Sequence, residues 1–124
     1  MKKLTLVVTA LLGAMLVISA PALSHGSPEP EHGGVVQQEH ELIFELVRET
    51  SGVSLYIRDH GQPYNTDSLS GTIMVLSAGS KTEAALRAAG TNKMSADIAI
   101  PDGAKVLVKV KSGDHHPVTV RYSF

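Results

Sequence analysis

The sequence predicts an all-β domain: an immunoglobulin-like antiparallel β-sandwich of about seven strands, behind a cleaved leader. Two observations carry the fold class. Apolar residues alternate with polar ones from Leu42 onward, and turn-forming residues punctuate these runs at regular spacing. A third bounds the domain. Residues 1–24 read as a signal peptide, which leaves about 100 residues, enough for one small sandwich or barrel.

The leader has a positive start at Lys2 and Lys3, then an apolar run from Leu4 to Ile18. That run, about 15 residues, is short for a membrane span, which needs roughly 20. Small residues around Ala20, Ala22 and Ser24 allow a cut after Ala22 or after Ser24. The second cut makes His25 the new N-terminus. Residues 25–38 hold Pro28, Pro30, Gly33 and Gly34 without an apolar period, so a flexible tail is expected, with order starting near Val35. The sandwich is expected over residues 39–124.

Within it, Leu42, Phe44 and Leu46 alternate with Ile43, Glu45 and Val47. Val53, Leu55 and Ile57 alternate with Ser54, Tyr56 and Arg58. Thr50-Ser51-Gly52 lies between, so the two runs form a hairpin. Placing both apolar rows on one face pairs Leu46 with Leu55 and Phe44 with Ile57. The same register sets Glu41 opposite His60. Residues 61–71 read as a polar loop and Thr72–Ser77 as a strand. Residues 81–90 are rich in alanine and leucine, which favour helix, with Gly90 as a cap. Their place among strands predicts a strand instead. Met94, Ala96 and Ile98 suggest another strand, and Pro101-Asp102-Gly103 is a turn. Val106, Val108 and Val110 form a strand with lysines on the alternate face. Residues 112–117 form a loop, and Val118 to Phe124 the last strand. A small barrel is the alternative closure of the same strands.

Composition narrows the chemistry. Without Lys2 and Lys3 the mature chain carries nine basic against twelve acidic side chains, a net charge of −3. No basic stripe is visible along the sequence, so nucleic acid is not an expected partner, and membrane insertion is not expected after cleavage. There is no cysteine, which excludes thiolate metal sites and disulfides. Neither a G-x-S-x-G elbow nor a phosphate-binding glycine loop occurs, and no organic cofactor is implied. The expectation is therefore no enzyme.

The six histidines are the candidates that remain: His25, His32, His40, His60, His115 and His116. Several stand beside carboxylates. His40 lies between Glu39 and Glu41, His60 follows Asp59, and Asp114 precedes His115. Imidazole with carboxylate suits zinc or copper, and a carboxylate also orients an imidazole from behind. The candidate metal ligands are His32, His40, His60, Glu41, His25, His115 and His116. Glu41 with His60 is the pair best supported by register. Against this stands the ordinary state of a surface histidine, which is simply solvated. Adjacent rings such as His115 and His116 rarely reach one metal together. Met74 and Met94 sit inside strand patterns and read as core.

His32-Gly33-Gly34, Phe44-Glu45-Leu46-Val47, Leu55-Tyr56-Ile57 with Asp59, and Gly61-Gln62-Pro63 occur in that order. Gly71, Asn92 after Gly90, and a terminal Phe124 follow. Together these resemble a small periplasmic module of proteobacteria. It is similar to the N-terminal region of adaptor subunits of heavy-metal efflux pumps of the cobalt–zinc–cadmium and copper–silver types. The resemblance implies a periplasmic β-sandwich associated with metal handling, working as an accessory that binds or passes on Zn²⁺ or Cu²⁺. A metal efflux pump adaptor is the implied partner. Only His32 of the histidines falls on the pattern. The alternative is a non-catalytic interaction module docking on an envelope partner, with no metal site. A further option, similar to small copper-resistance sandwiches, has the amine and ring of an N-terminal His25 chelating Cu²⁺.

Overall fold

The computed structural model describes residues 28–124; the segment expected to be a leader, and His25, lie outside the described residues. Nine strands form the domain: β1 (Val35–Glu39), β2 (Leu42–Glu49), β3 (Gly52–Asp59), β4 (Gln62–Pro63), β5 (Leu69–Ser77), β6 (Ser80–Gly90), β7 (Lys93–Ala96), β8 (Lys105–Ser112) and β9 (Val118–Ser123). There is no helix among the described residues.

The β2–β3 hairpin has the register that its apolar rows dictate, with Leu46 opposite Leu55 and Phe44 opposite Ile57. Phe44, Leu46, Val53, Leu55 and Ile57 are all buried on the inner face. The alanine-rich segment is strand β6, paired antiparallel with β5 from Ser70–Arg87 to Ser77–Ser80. Its propensity for helix is overridden by this ladder and by Leu86, which enters the core.

Two strands exceed the expected set. β1 begins where order was expected, but it pairs along the whole start of β2, from Val35–Leu46 to Glu39–Leu42. The polar loop contains the two-residue strand β4, paired with the end of β3.

The larger difference is in the layers. All strands belong to one hydrogen-bonded antiparallel sheet, in the order β1-β2-β3-β7-β6-β5-β8-β9, with β4 beside β3. Short β7 makes the difference. It pairs with β3 through Val53–Ala96 to Tyr56–Lys93, and with β6 through Arg87–Ser95 to Gly90–Lys93. A shift of register between Ala88 and Gly90 bends β6 toward it. Two groups of strands that alone would face each other as sheets are thereby joined. β1 and β9, the ends of the order, lie side by side without a ladder between them, so the sheet is nearly closed into a barrel. Across this seam the Tyr122 hydroxyl donates to the Phe44 carbonyl at 2.9 Å. Inward rows from the strands fill the interior, including Ile73, Met94, Val108 and Val120, each fully buried.

Candidate functional site

The motif residues meet on the outer face of β2 and β3. Glu45 sits at an outward position of β2, directly opposite Tyr56 on β3. Alternation predicts an exposed carboxylate there, yet Glu45 is fully buried. The covering is the segment from Glu29 to Gly34. Backbone N–H groups of Glu31, His32 and Gly34 donate to the Glu45 carboxylate at 2.9, 2.8 and 2.9 Å. The His32 ring Nδ1 stands 3.3 Å from the same carboxylate, and the ring stacks on Tyr56 with centroids 3.6 Å apart and planes 5° from parallel. Arg58, one outward position further along β3, donates to Glu31 Oε1 at 2.7 Å and to the Glu29 carbonyl at 3.1 Å. Its Nε is buried without a partner.

Residues 29–34 thus form a strap rather than a flexible tail. Gly34 explains its closeness: a Cβ there would lie 2.5 Å from the Leu46 carbonyl oxygen. The HGG, ELV and LYI segments are one physical unit. A buried carboxylate needs donors, the strap supplies three backbone N–H groups, and only a residue without a side chain lets the strap approach. Burial pushes the Glu45 carboxyl up, but the hydrogen bonds from Gly34, Glu31, His32 and the His32 ring outweigh it and hold it below its usual range. Burial, aided by the Glu45 charge, pushes the Tyr122 hydroxyl up.

His32 is therefore committed to the strap. Its ring is held by a carboxylate and an aromatic face, and the Lys93 ammonium stands 5.8 Å from the centroid of that same Tyr56 ring.

The proposed pairing of Glu41 with His60 is corrected by the structure. The β2–β3 ladder ends at Leu42–Asp59. Beyond it, His40 and Glu41 occupy the tight turn between β1 and β2, with φ of 50° and 67°. His60 and Gly61 occupy the turn into β4, with φ of 49° and 79°. Each turn carries its residues away from the other, one toward β1 and one toward β4. His60 instead meets its neighbour, with Nδ1 2.5 Å from Asp59 Oδ1. Both turns need positive φ at two successive residues, the signature of a tight hairpin turn. The sequence signal for this, a polar pair before or including glycine, was present at His60-Gly61 and masked at His40-Glu41.

The fold does something else with these residues. The β1–β2 turn, the β3–β4 turn and the β8–β9 loop lie at the same end of the barrel. At that end a recess of about 310 Å³ opens, with Leu42, Phe44, Ile57, Val110 and Val118 in its walls and Lys111, His115 and His116 at its rim. The adjacent His115 and His116 both border this recess. The Ser112 carbonyl, which accepts from the His115 N–H at 3.1 Å, shapes this loop. One end of the barrel thus carries His40, His60, His115 and His116 with Glu39, Glu41, Asp59 and Asp114. Among the described residues no three histidine or carboxylate groups stand close enough to form a metal centre. What is offered is two imidazoles over an apolar recess, within an end rich in imidazole and carboxylate.

Comparison of the chain with protein-family models, with curated proteins and with solved structures gave no significant match.

Proposed function

We propose that the chain is an exported, non-catalytic periplasmic accessory of heavy-metal handling, which collects Zn²⁺ or Cu²⁺ at the histidine-bearing end of the barrel and passes it on. The observation that supports this reading is the gathering of four histidines and four carboxylates in the turns and strand ends at one end of the barrel, with His115 and His116 on one recess. Two imidazoles supply half of the four ligands that zinc prefers, so water or a partner completes the shell. An incomplete site suits a carrier, because an open position is where the next ligand enters. The motif likeness to efflux adaptors points the same way, and a pump adaptor is the partner it implies. The strap holds the scaffold and takes no part in the transfer.

Isothermal titration of the mature protein with Zn²⁺ and Cu²⁺ tests this. Binding tighter than about 100 µM at neutral pH is expected, weakened at least tenfold in the His115→Ala, His116→Ala double variant. No binding above that level excludes the reading.

A second reading is favoured by the lack of any three-ligand group among the described residues. Here the module docks on an envelope partner and its histidines are incidental. Partner capture that survives alanine at all six histidines supports it.

A further inference from the structure

The sequence shows no basic stripe, but the sheet register makes one. Its components are spread over four strands and meet only when the ladders form. On β8 the inward row is Val106, Val108 and Val110, so Lys105, Lys109 and Lys111 face outward with Leu107. On β6 the outward row is Lys81, Glu83, Ala85 and Arg87. Between them, β5 turns Leu76, Met74, Thr72 and Ser70 outward, and β9 adds Arg121. The ladders fix the neighbours. Leu76 lies between Lys81 and Lys105, Met74 between Glu83 and Leu107, Thr72 between Ala85 and Lys109, and Ser70 between Arg87 and Lys111. Arg121 lies beside Leu107.

This face holds six exposed cations and one acid, Glu83, whose carboxylate is 3.7 Å from the Lys81 ammonium. The rest of the chain is correspondingly acidic, so the charges are segregated. At about 3.4 Å per residue and about 4.8 Å between strands, the face covers roughly 20 by 14 Å. On its end rung Leu76, which is 44% exposed and the one large apolar side chain so exposed among the described residues, adjoins Lys81 and Lys105, with half-buried Met74 and Leu107 one rung further.

We propose that this outer face of β5, β6, β8 and β9 docks on an anionic phospholipid bilayer. Two features favour a bilayer over a nucleic acid. No aromatic side chain stands among its outward positions to stack on a base. Leu76, Met74 and Leu107 form an apolar row among lysines, and that combination suits the boundary between headgroups and acyl chains. The proposal does not rest on metal binding: the face lies on the wall of the barrel, whereas His115 and His116 lie at its end, and only Lys111 borders both.

Cosedimentation of the mature protein with vesicles tests it, using phosphatidylcholine alone against phosphatidylcholine mixed with phosphatidylglycerol. Binding to the mixed vesicles alone is expected at about 0.05 M salt, and its loss at about 0.5 M. Each of Lys105→Gln, Lys109→Gln and Lys111→Gln weakens partitioning about fivefold, and the triple variant about 100-fold, at ~1 kcal/mol per charge. Leu76→Ser weakens it further without changing the salt dependence. These side chains are exposed, so the variants keep their melting temperature. No partitioning, equal partitioning on neutral vesicles, or an unchanged triple variant overturns the proposal. Binding to single-stranded oligonucleotide in place of vesicles, or self-association abolished by the triple variant, assigns the face to a polyanion or to a second copy and also overturns it.

Discussion

Replacing Glu45 with glutamine removes one charge and hardly changes volume. The carboxylate accepts three backbone N–H groups at 2.8–2.9 Å, and the side chain is fully buried. A hydrogen bond to a charged group contributes about 1.5–3 kcal/mol, so the three together represent roughly 5–9 kcal/mol gross. Glutamine keeps one acceptor oxygen, and the strap can peel off and let water satisfy its N–H groups. The expected net loss is therefore about 2–4 kcal/mol. For a domain of this size that lowers Tm by roughly 10–25 °C. Two readouts check it: urea or thermal unfolding, and amide exchange at His32 and Gly34. Both amides should lose protection in the variant while core amides such as that of Val108 keep theirs up to the reduced global stability. The pH dependence has a definite sign. The native carboxyl lies below its usual range, so its contribution is complete above about 4.3 and is lost as pH falls through the native value. Wild type should therefore destabilise in acid more steeply than Glu45→Gln. A loss below about 0.5 kcal/mol, typical of an uninvolved surface change, together with unchanged Gly34 protection, would refute the strap argument.

Other outcomes follow from the same geometry. Gly34→Ala puts a methyl 2.5 Å from the Leu46 carbonyl, so it should displace the strap and cost about 1–3 kcal/mol by strain, with proteolysis near residues 29–34 as the second readout. Tyr122, pushed up by burial and by Glu45, is neutral in the native state while the unfolded tyrosine ionises near about 10; stability should thus fall as pH rises above that value, and Tyr122→Phe should flatten the fall. Met94→Ala, at a fully buried position, should cost about 2–5 kcal/mol in urea unfolding. Alanine at both His40 and His60 should leave stability within about 0.5 kcal/mol, since both occupy exposed turns.

The legible part of this protein was its local periodicity. Phe44, Leu46, Leu55 and Ile57 state their own register, because a slip by one residue would turn the whole row outward. The lysine-valine alternation of β8 was equally plain. Closure was not legible, since it depends on four residues of β7 serving two partners and on a bulge in β6. Parity placed Glu45 outside, and it is outside the sheet, but no local signal says that residues 29–34 return to cover it. The one hint was that an HGG segment and an ELV segment occur in the same short motif set. The Glu41–His60 pair failed for a related reason: the register was right, but the ladder stops one residue short and the turns diverge. The recess under His115 and His116 and the cationic face both need the tertiary arrangement, because their parts are tens of residues apart in sequence.

The most direct test of the functional account follows the histidine ring signals by NMR while Zn²⁺ is added to the mature protein. The account predicts that His115 and His116 respond first and together, with His32 unmoved in its place between Glu45 and Tyr56. A first response at His32, or none at any ring, would contradict it.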